Sequence, residues 1–471
     1  MINKLNPKSI FEARPAAQPG AHAPAGFISD EYDEKIVNDQ ISHLEALERM
    51  SLKELEAYKL KELKILLVEA GLHVPYWRNL FKELNFDPKA ISSIRDLEKL
   101  PLLDKNKIKE NYSEFISDKA NLDEITYMTT GGSTGSPLKI LMNKETRSKS
   151  HAATRYYLKK AGITPGLERG VRLHGNKIPK EYIDLEKFWI QEGNRLTMSV
   201  SHITMDNCSF YMEAIKDFKP NYIHAYASAL ALLCKYAEKN NEKFPLSIKN
   251  IFCDSETVYD WQRDLIIKLT GAQFYNIYGH TEAAGMAITF PESAQLESLP
   301  VGIMEILDSN LNNLSKEKDE GQIVVTGFHN KIMPFIRYKT SDIAELGSSK
   351  KIEERFFTPI LSNVKGRIQD YLVGFDESIV PAAPLLFDYN FDWTGIDLFQ
   401  VYQFKKGKLE FKIVKNKSID SNEAILEQRL IDSFSGIFGE QFSVEVSFHD
   451  ELLVTKRGKY RYVDQKLEIE I

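Results

Sequence analysis

Between Met128 and Ile140 the chain reads MTTGGSTGSPLKI, a run in which glycines alternate with hydroxyl residues. Glycines let several backbone N–H groups converge on an anion, and Ser and Thr hydroxyls add donors to phosphate oxygens. Thr129, Thr130, Gly131, Gly132, Ser133, Thr134 and Gly135 therefore form a candidate cradle for nucleotide phosphates. It is not a Walker loop, because the nearest match to G-x-x-x-x-G-K-[ST], GVRLHGNK, has Asn176 where Lys is required. Two other readings use the same letters. G-G-S-T-G fits the G-x-S-x-G turn of a serine hydrolase, with Ser133 as nucleophile and His449 as base, but that turn needs a helix immediately behind the serine. Here Pro137 and the strand-like LKILMN follow instead. The third reading is a plain glycine-rich hairpin turn between the apolar stretches EITYM and LKILM.

Further motifs follow in order. In YNIYGHTEAAG (Tyr275–Gly285), Tyr278 offers a flat face for a base, Thr281 a hydroxyl, and Glu282 a carboxylate able to hold Mg²⁺. MPFIRYKTSDIAEL supplies Asp342, an acceptor for sugar hydroxyls; VKGRIQDYL supplies Arg367; TKRGKYRYV supplies Lys459 behind a glycine. Each has a plainer reading. Glu282 could be a helix-start carboxylate favoured by the dipole, Asp342 a turn residue, and the 456–461 cluster a solvated basic tail. Order and spacing together favour a nucleotide site.

The elements that must position these residues follow from periodicity. Residues 12–26 are rich in Ala, Pro and Gly and read as a flexible arm. From Asp33 to Leu72 the leucines recur at helical spacing, with Gly71 placed to stop the helix, and a further helical stretch covers about 103–115. After the helical 144–161, strands (PNYIHAY, IKNIFC, AQFYNI) alternate with helices (ALALLCKYAEKN, YDWQRDLIIKLTG), which implies parallel pairing in α/β layers. Beyond Met286, GIMEIL, GQIVVTGF and DIAELG read as antiparallel β structure, and the last hundred or so residues as a small α+β unit.

A chain of 471 residues is long enough for two or three units. With 43% hydrophobic residues, 27% charged and a net charge of −6, it has a globular composition without the basic stripe of a nucleic-acid binder. No apolar run approaches the roughly 20 residues of a membrane span. The start MINKLNPKSIF lacks a secretory signal's apolar stretch, which points to the cytoplasm, and Cys208, Cys234 and Cys253 are spaced as reduced core thiols.

With these motifs in place, the sequence resembles the adenylate-forming superfamily of acyl-CoA synthetases, luciferases and nonribosomal-peptide adenylation domains. It is most similar to the phenylacetate-CoA ligase-like branch, which includes coenzyme F390 synthetases and proteins of capsular polysaccharide gene clusters. YGHTE, GQIVVTGFHN and MPFIRYKTSD carry the later signatures, and LLVEAGLHVPYWRNLFKELNFDPKAISSIRDLEKLPLLDKNKIKENYSEF the N-terminal one. The resemblance implies an α/β fold with an N-terminal arm (1–28), a large AMP-binding domain with a β-rich subdomain (29–366) and a small, mobile α+β domain (367–471).

It also implies an ATP- and Mg²⁺-dependent enzyme that joins a carboxylic acid to AMP and passes the acyl group to coenzyme A, or to an amine or hydroxyl of a sugar. Thr129–Gly135 would hold the β- and γ-phosphates; Tyr278 with Gly279 would take the adenine, walled by Asp254, Ser255 and Glu256. Thr281 would contact the α-phosphate, Glu282 ligate Mg²⁺, Asp342 bind the ribose, Arg367 act beside it, and Lys459 stabilise adenylation. The acyl pocket would lie among His174, His202, His224 and Tyr226, for which a satisfied core role is an equal alternative. Three positions depart from the pattern: Gln369 at the hinge, Ser341 where a glycine is common, and LVGFDESIVPAAP in place of a glycine-rich coenzyme A element.

Overall fold

The computed structural model of the chain describes residues 14–15, 32–129, 138–164, 166–174, 178–200, 203, 207–289, 295–348, 358–367, 371–377, 379–381, 396–415, 423–438, 441–452 and 462–467. Helix α1 (Glu34–Glu48) starts at Asp33, whose carboxylate accepts from the Lys35 and Ile36 amides; α2 (Leu52–His73) starts at a reciprocal Ser51–Glu54 cap. Gly71 does not end α2, which runs on to His73. A Cβ there would lie 2.9 Å from Phe81 Cδ2, so the glycine serves close packing against the following helix.

Strands β1 (Ile125–Thr129) and β2 (Lys139–Asn143) pair antiparallel from Ile125↔Asn143 to Thr129↔Lys139, and α3 (Lys144–Lys160) begins where β2 ends. Arg14 and Pro15 pair parallel with β1, so two residues of the expected arm belong to a sheet. The alternating stretch then gives β3 (Gly170–His174), β4 (Trp189–Glu192), β5 (Arg195–Ser199), α4 (Cys208–Phe218), β6 (Tyr222–Ala225), α5 (Ala227–Lys239), β7 (Asn250–Asp254), α6 (Asp260–Thr270) and β8 (Gln273–Gly279). The β-rich stretch gives β9 (Met286–Thr289), β10 (Leu296–Ser298), β11 (Gly302–Leu307), β12 (Glu320–Gly327), β13 (Tyr338–Leu346) and β14 (Ile360–Arg367). Last come β15 (Ile396–Lys405), β16 (Lys408–Lys415), α7 (Glu423–Phe438), β17 (Ser443–Phe448) and β18 (Val463–Gln465).

The chain divides into two units, Met1–Glu168 with Tyr275–Val364, and Arg169–Phe274 with Lys365–Ile471. In the first, strands run in the order β11-β12-β13-β14-β10-β9-β8. The pairs β8/β9, β9/β10, β11/β12 and β12/β13 are antiparallel, as the polar turns between short apolar runs suggested. Its core joins Leu63, Leu67 and Trp77 of the helical region to Ile303, Ile323 and Val325 of the strands and to Phe335 in the connection before β13.

In the second unit, β7-β6-β3-β5 are mutually parallel and β4 closes the edge antiparallel. This is the outcome expected of alternating strands and helices, since a parallel neighbour requires a crossover of a dozen or more residues. Gly271 caps α6 at φ +65, a left-handed conformation that glycine adopts without a Cβ penalty. The three cysteines are buried free thiols. The C-terminal strands run β17-β16-β15-β18 around a core of Leu372, Val401, Phe411 and Leu430. Tyr462, just before β18, packs edge-on against Tyr259 and Trp261 at the start of α6. Among the described residues no helix is long and apolar enough to cross a membrane.

Candidate active site

The hairpin β1–β2 settles what flanks the glycine-rich run. Thr129 ends β1 and pairs with Lys139; Thr130–Pro137, and with them most of the proposed cradle, lie outside the described residues. A strand and not a helix follows the run, the opposite of what the hydrolase turn requires. His449 lies exposed after β17, its ring 2.9 Å from the Ser447 hydroxyl.

In the first unit, Tyr278 and Gly279 end β8, and the chain turns through His280, Thr281 and Glu282 into β9. The Glu282 carboxylate is buried, with the Tyr338 hydroxyl donating to Oε1 at 2.9 Å and His280 Nδ1 lying 3.3 Å from Oε2. Burial pushes the carboxyl up, but His280, a backbone N–H and the Tyr338 hydroxyl outweigh it, so Glu282 is held below its ordinary value as an anion. The turn is fixed from behind. A Cβ on Gly327 would stand 2.5 Å from Ala284 Cα, and one on Gly302 would stand 2.3 Å from the Ala284 carbonyl oxygen, so only glycines let the turn settle this close. Ala283 takes φ +52 within it.

Asp342 reaches the same region through an irregularity. Between Gln322↔Ile343 and Val324↔Lys339 the register shifts, leaving Thr340, Ser341 and Asp342 opposite a single residue of β12. Ser341 adopts φ +67, so it keeps the left-handed conformation that a glycine takes easily. The Thr340 hydroxyl donates to the Ile323 carbonyl and accepts from the Asp342 amide, and Asp342 Oδ2 receives the Tyr278 hydroxyl at 2.7 Å. Tyr278, Glu282 and Asp342 thus come together with Tyr338, whose part sequence reasoning missed. Its neighbour Arg337 is structural: buried, at φ +49, it pairs with buried Glu305 at 2.9 Å and donates to the Leu100 carbonyl.

In the second unit, His174 ends β3, His224 lies in β6 and Asp254 ends β7, on three neighbouring strands at their carboxyl ends, where open parallel sheets bind ligands. His224 Nε2 is 2.8 Å from Asp254 Oδ2, His174 Nε2 is 3.7 Å from Oδ1, and Arg172 donates to His174 Nδ1 at 3.3 Å. The His174 ring packs 4.7 Å from His224 and 4.5 Å from Tyr226. Burial acts to raise the Asp254 carboxyl, yet the two imidazoles and Arg172 prevail and hold it well below the carboxylate range. Three of the four proposed acyl-pocket residues therefore cluster, with Asp254 and Arg172 added; His202 lies outside the described residues. The signal for Asp254 was there: LHGN, IHAY and FCDSE each end an apolar strand in a polar side chain.

Ser255 takes φ +66, and Glu256 accepts from the Ser228 amide in the first turn of α5, a helix-start contact. Arg367 is the last residue of β14; Gln369 and Lys459 lie outside the described residues.

No family model matches the chain. Protein CapK of Staphylococcus aureus is 25% identical over 390 residues, covering 82% of this chain and 84% of that protein. Phenylacetate-coenzyme A ligase of Pseudomonas putida is 22% identical over 400 residues, covering 82% and 84%. Among solved structures, 2-hydroxyisobutyryl-CoA ligase in its postadenylation state with 2-HIB-AMP superposes with a TM-score of 0.66 at 16% identity, covering 88% of this chain and 90% of that one, a likeness of fold.

Proposed function

We propose that the chain is an adenylate-forming enzyme of the phenylacetate-CoA ligase-like branch, which activates a carboxylic acid with ATP and transfers the acyl group to a thiol, that of coenzyme A. The observation that carries the reading is the meeting of Tyr278, Glu282 and Asp342 in one unit, held by the Tyr278–Asp342 and Tyr338–Glu282 hydrogen bonds. A substrate carboxylate oxygen attacks the α-phosphorus, the bond to pyrophosphate breaks, and the acyl-adenylate remains for the thiol. Such a displacement needs fixed donors and countercharge more than covalent help from the protein.

In this reading Thr129–Gly135 hold the β- and γ-phosphates, Thr281 contacts the α-phosphate and Asp342 accepts the ribose hydroxyls. Tyr278 and Gly279 take the adenine, and Ser255, Glu256 and Arg367 are further candidate nucleotide-binding residues. Glu282 suits Mg²⁺: it is an ionised carboxylate oriented by a phenol, and Mg²⁺ usually takes one or two carboxylates plus substrate phosphates. The ion would neutralise charge on the phosphates. Residues 367–471 form the mobile domain that brings Lys459 to the first half-reaction, and 29–366 the AMP-binding domain. The cytoplasm, where ATP and coenzyme A are found, is the place of action.

A second reading, transfer of an acyl or aminoacyl group to a sugar amine or hydroxyl, is favoured by the likeness to CapK and by the LVGFDESIVPAAP segment. Acid-dependent pyrophosphate exchange into ATP over aryl, aliphatic and amino acids tests the first step. No exchange with any acid, alongside an esterase activity lost in Ser133→Ala, sinks it. Mass analysis of products with and without coenzyme A separates thioester from amide or ester. Lys459→Ala is expected to abolish exchange while a supplied acyl-adenylate is still consumed; equal loss of both steps contradicts its role.

A further inference from the structure

The C-terminal strands β17-β16-β15-β18 form a sheet with two different faces. Phe399, Val401, Leu409 and Phe411 point to one side, where they pack with Leu426 and Leu430 of α7. The other side ends, at the turn between β15 and β16, in aromatic and basic side chains. Tyr402 and Phe404 stack there with ring centroids 5.7 Å apart, Phe404 is 55% exposed, and Lys412 Nζ lies 4.4 Å from the centre of the Tyr402 ring. A bulge arranges this. The register shifts between Tyr402↔Glu410 and Lys405↔Lys408, so Gln403 and Phe404 both stand opposite Leu409, and the extra residue brings Phe404 and Lys405 to the face of Tyr402.

The two lysines at the turn are the unusual feature. Lys405 and Lys408 are paired directly across the strands, both exposed, and neither makes an ion pair among the described residues. Like charges placed opposite one another weaken a strand pair. The turn holds them there all the same. Gly407, at φ +69, donates its N–H to the Val373 carbonyl at 2.7 Å, a Cβ on it would collide with the Phe375 ring, and Lys406 takes the acid at hand, Glu377, at 2.6 Å. The acids of the same face lie further along the strands. Glu410 accepts from the Ser447 hydroxyl and is 3.9 Å from Lys412, Glu445 stands opposite Glu410, and Asp464 pairs with Lys466. A braced turn thus keeps two cations side by side next to two stacked rings, and an anion that carries a flat ring complements both.

We propose that this end of the sheet binds a free nucleotide, its base stacked on Phe404 beside Tyr402 and its phosphates held by Lys405 and Lys408. Stacking on an aromatic ring accepts any base, and lysine meets phosphate as a point charge. A strand of nucleic acid fits less well, because past the two lysines its backbone would run over Glu410 and Glu445. Coenzyme A and ATP both offer a purine with phosphates. Naming coenzyme A as the source rests on the acid-activating reading, whereas the site itself does not.

Calorimetric titration of the full chain with coenzyme A, adenosine 3′,5′-bisphosphate, ATP, pantetheine and inorganic pyrophosphate tests it. Coenzyme A and the bisphosphate are expected to bind and pantetheine is not. Phe404→Ala should weaken that binding about tenfold or more, the usual worth of a base stacked on an aromatic ring, and Lys405→Glu with Lys408→Glu should abolish it. All three side chains are exposed, and melting curves confirm that the variants fold. If ATP binding is the one that falls in the variants, the site stands and ATP is its source. Nucleotide binding that none of the variants alters overturns the proposal, as does its absence at millimolar concentration. Pyrophosphate that competes as well as the nucleotides, with Phe404→Ala without effect, overturns it in favour of a bare charge patch. Acid-dependent pyrophosphate exchange is scored separately: nucleotide binding at the turn without exchange by the unaltered protein supports the site and sinks only the activity.

Discussion

Tyr338→Phe removes one hydroxyl and leaves the ring where it packs, 5.0 Å edge-on to Phe335. What is lost is the donor to Glu282 Oε1 at 2.9 Å, between two buried side chains. A hydrogen bond to a charged group is worth about 1.5–3 kcal/mol, so without the phenol the Glu282 carboxyl should rise from its lowered position. The sign with pH follows from its direction of shift. Glu282 is held below the ordinary value of 4.5, so its contribution is fully present above that value and is lost as pH falls through the lower folded value. At pH 7 the variant should be about 2 kcal/mol less stable, a Tm drop of roughly 4–8 °C for a unit of this size. The gap should narrow below pH 4.5. Denaturant unfolding of both proteins at the two pH values measures this, and an equal deficit at both would show that the phenol acts through packing, refuting the electrostatic argument. If Glu282 also holds Mg²⁺, the concentration needed for half-maximal pyrophosphate exchange should rise about tenfold, the usual cost of removing a partner that orients a metal ligand.

Asp342→Ala should raise KM for ATP about tenfold with a smaller change in kcat, since a group that binds ribose throughout contributes alike to ground and transition states; a pure kcat effect in steady-state exchange assays would contradict it. Gly327→Ala places a methyl 2.5 Å from Ala284 Cα, so unfolding free energy should fall by about 3 kcal/mol and exchange should fail with it, because the same turn carries Glu282. A melting curve like that of the unaltered protein would show the turn to be pliant. Burial pushes the Lys59 ammonium down to about 7 from 10.5, so the unfolded chain binds the extra proton between these values and stability should rise with pH across that window, by up to about 4 kcal/mol by pH 10. Urea unfolding of Lys59→Met should lack this rise; parallel slopes for the two proteins would refute the assignment.

The parts of this protein that could be read from its sequence are those written in local periodicity. Alternation of apolar strands and amphipathic helices sufficed for the parallel strands β7-β6-β3-β5, and short apolar runs between polar turns for the antiparallel set, because each pattern spans fewer residues than the element it specifies. Gly271 was legible as a helix end because the next residues start a strand; Gly71 was misread because its reason lies in Phe81, on the helix that follows.

The candidate site divides along the same line. Tyr278, Glu282 and Asp342 were visible as residue types in ordered motifs, but Glu282 and Tyr338 are 56 positions apart and Tyr278 and Asp342 are 64, and nothing in either stretch announces the partner. Ser341 illustrates the limit most directly. Its side chain departs from the common glycine, yet the backbone keeps φ +67, at the point where two extra residues of β13 are absorbed opposite one residue of β12 and Asp342 meets Tyr278. Substitution there changed the cost of the conformation and not the conformation itself. The constraint that places Asp342 is thus a property of strand register, which a motif records only as a preference for glycine.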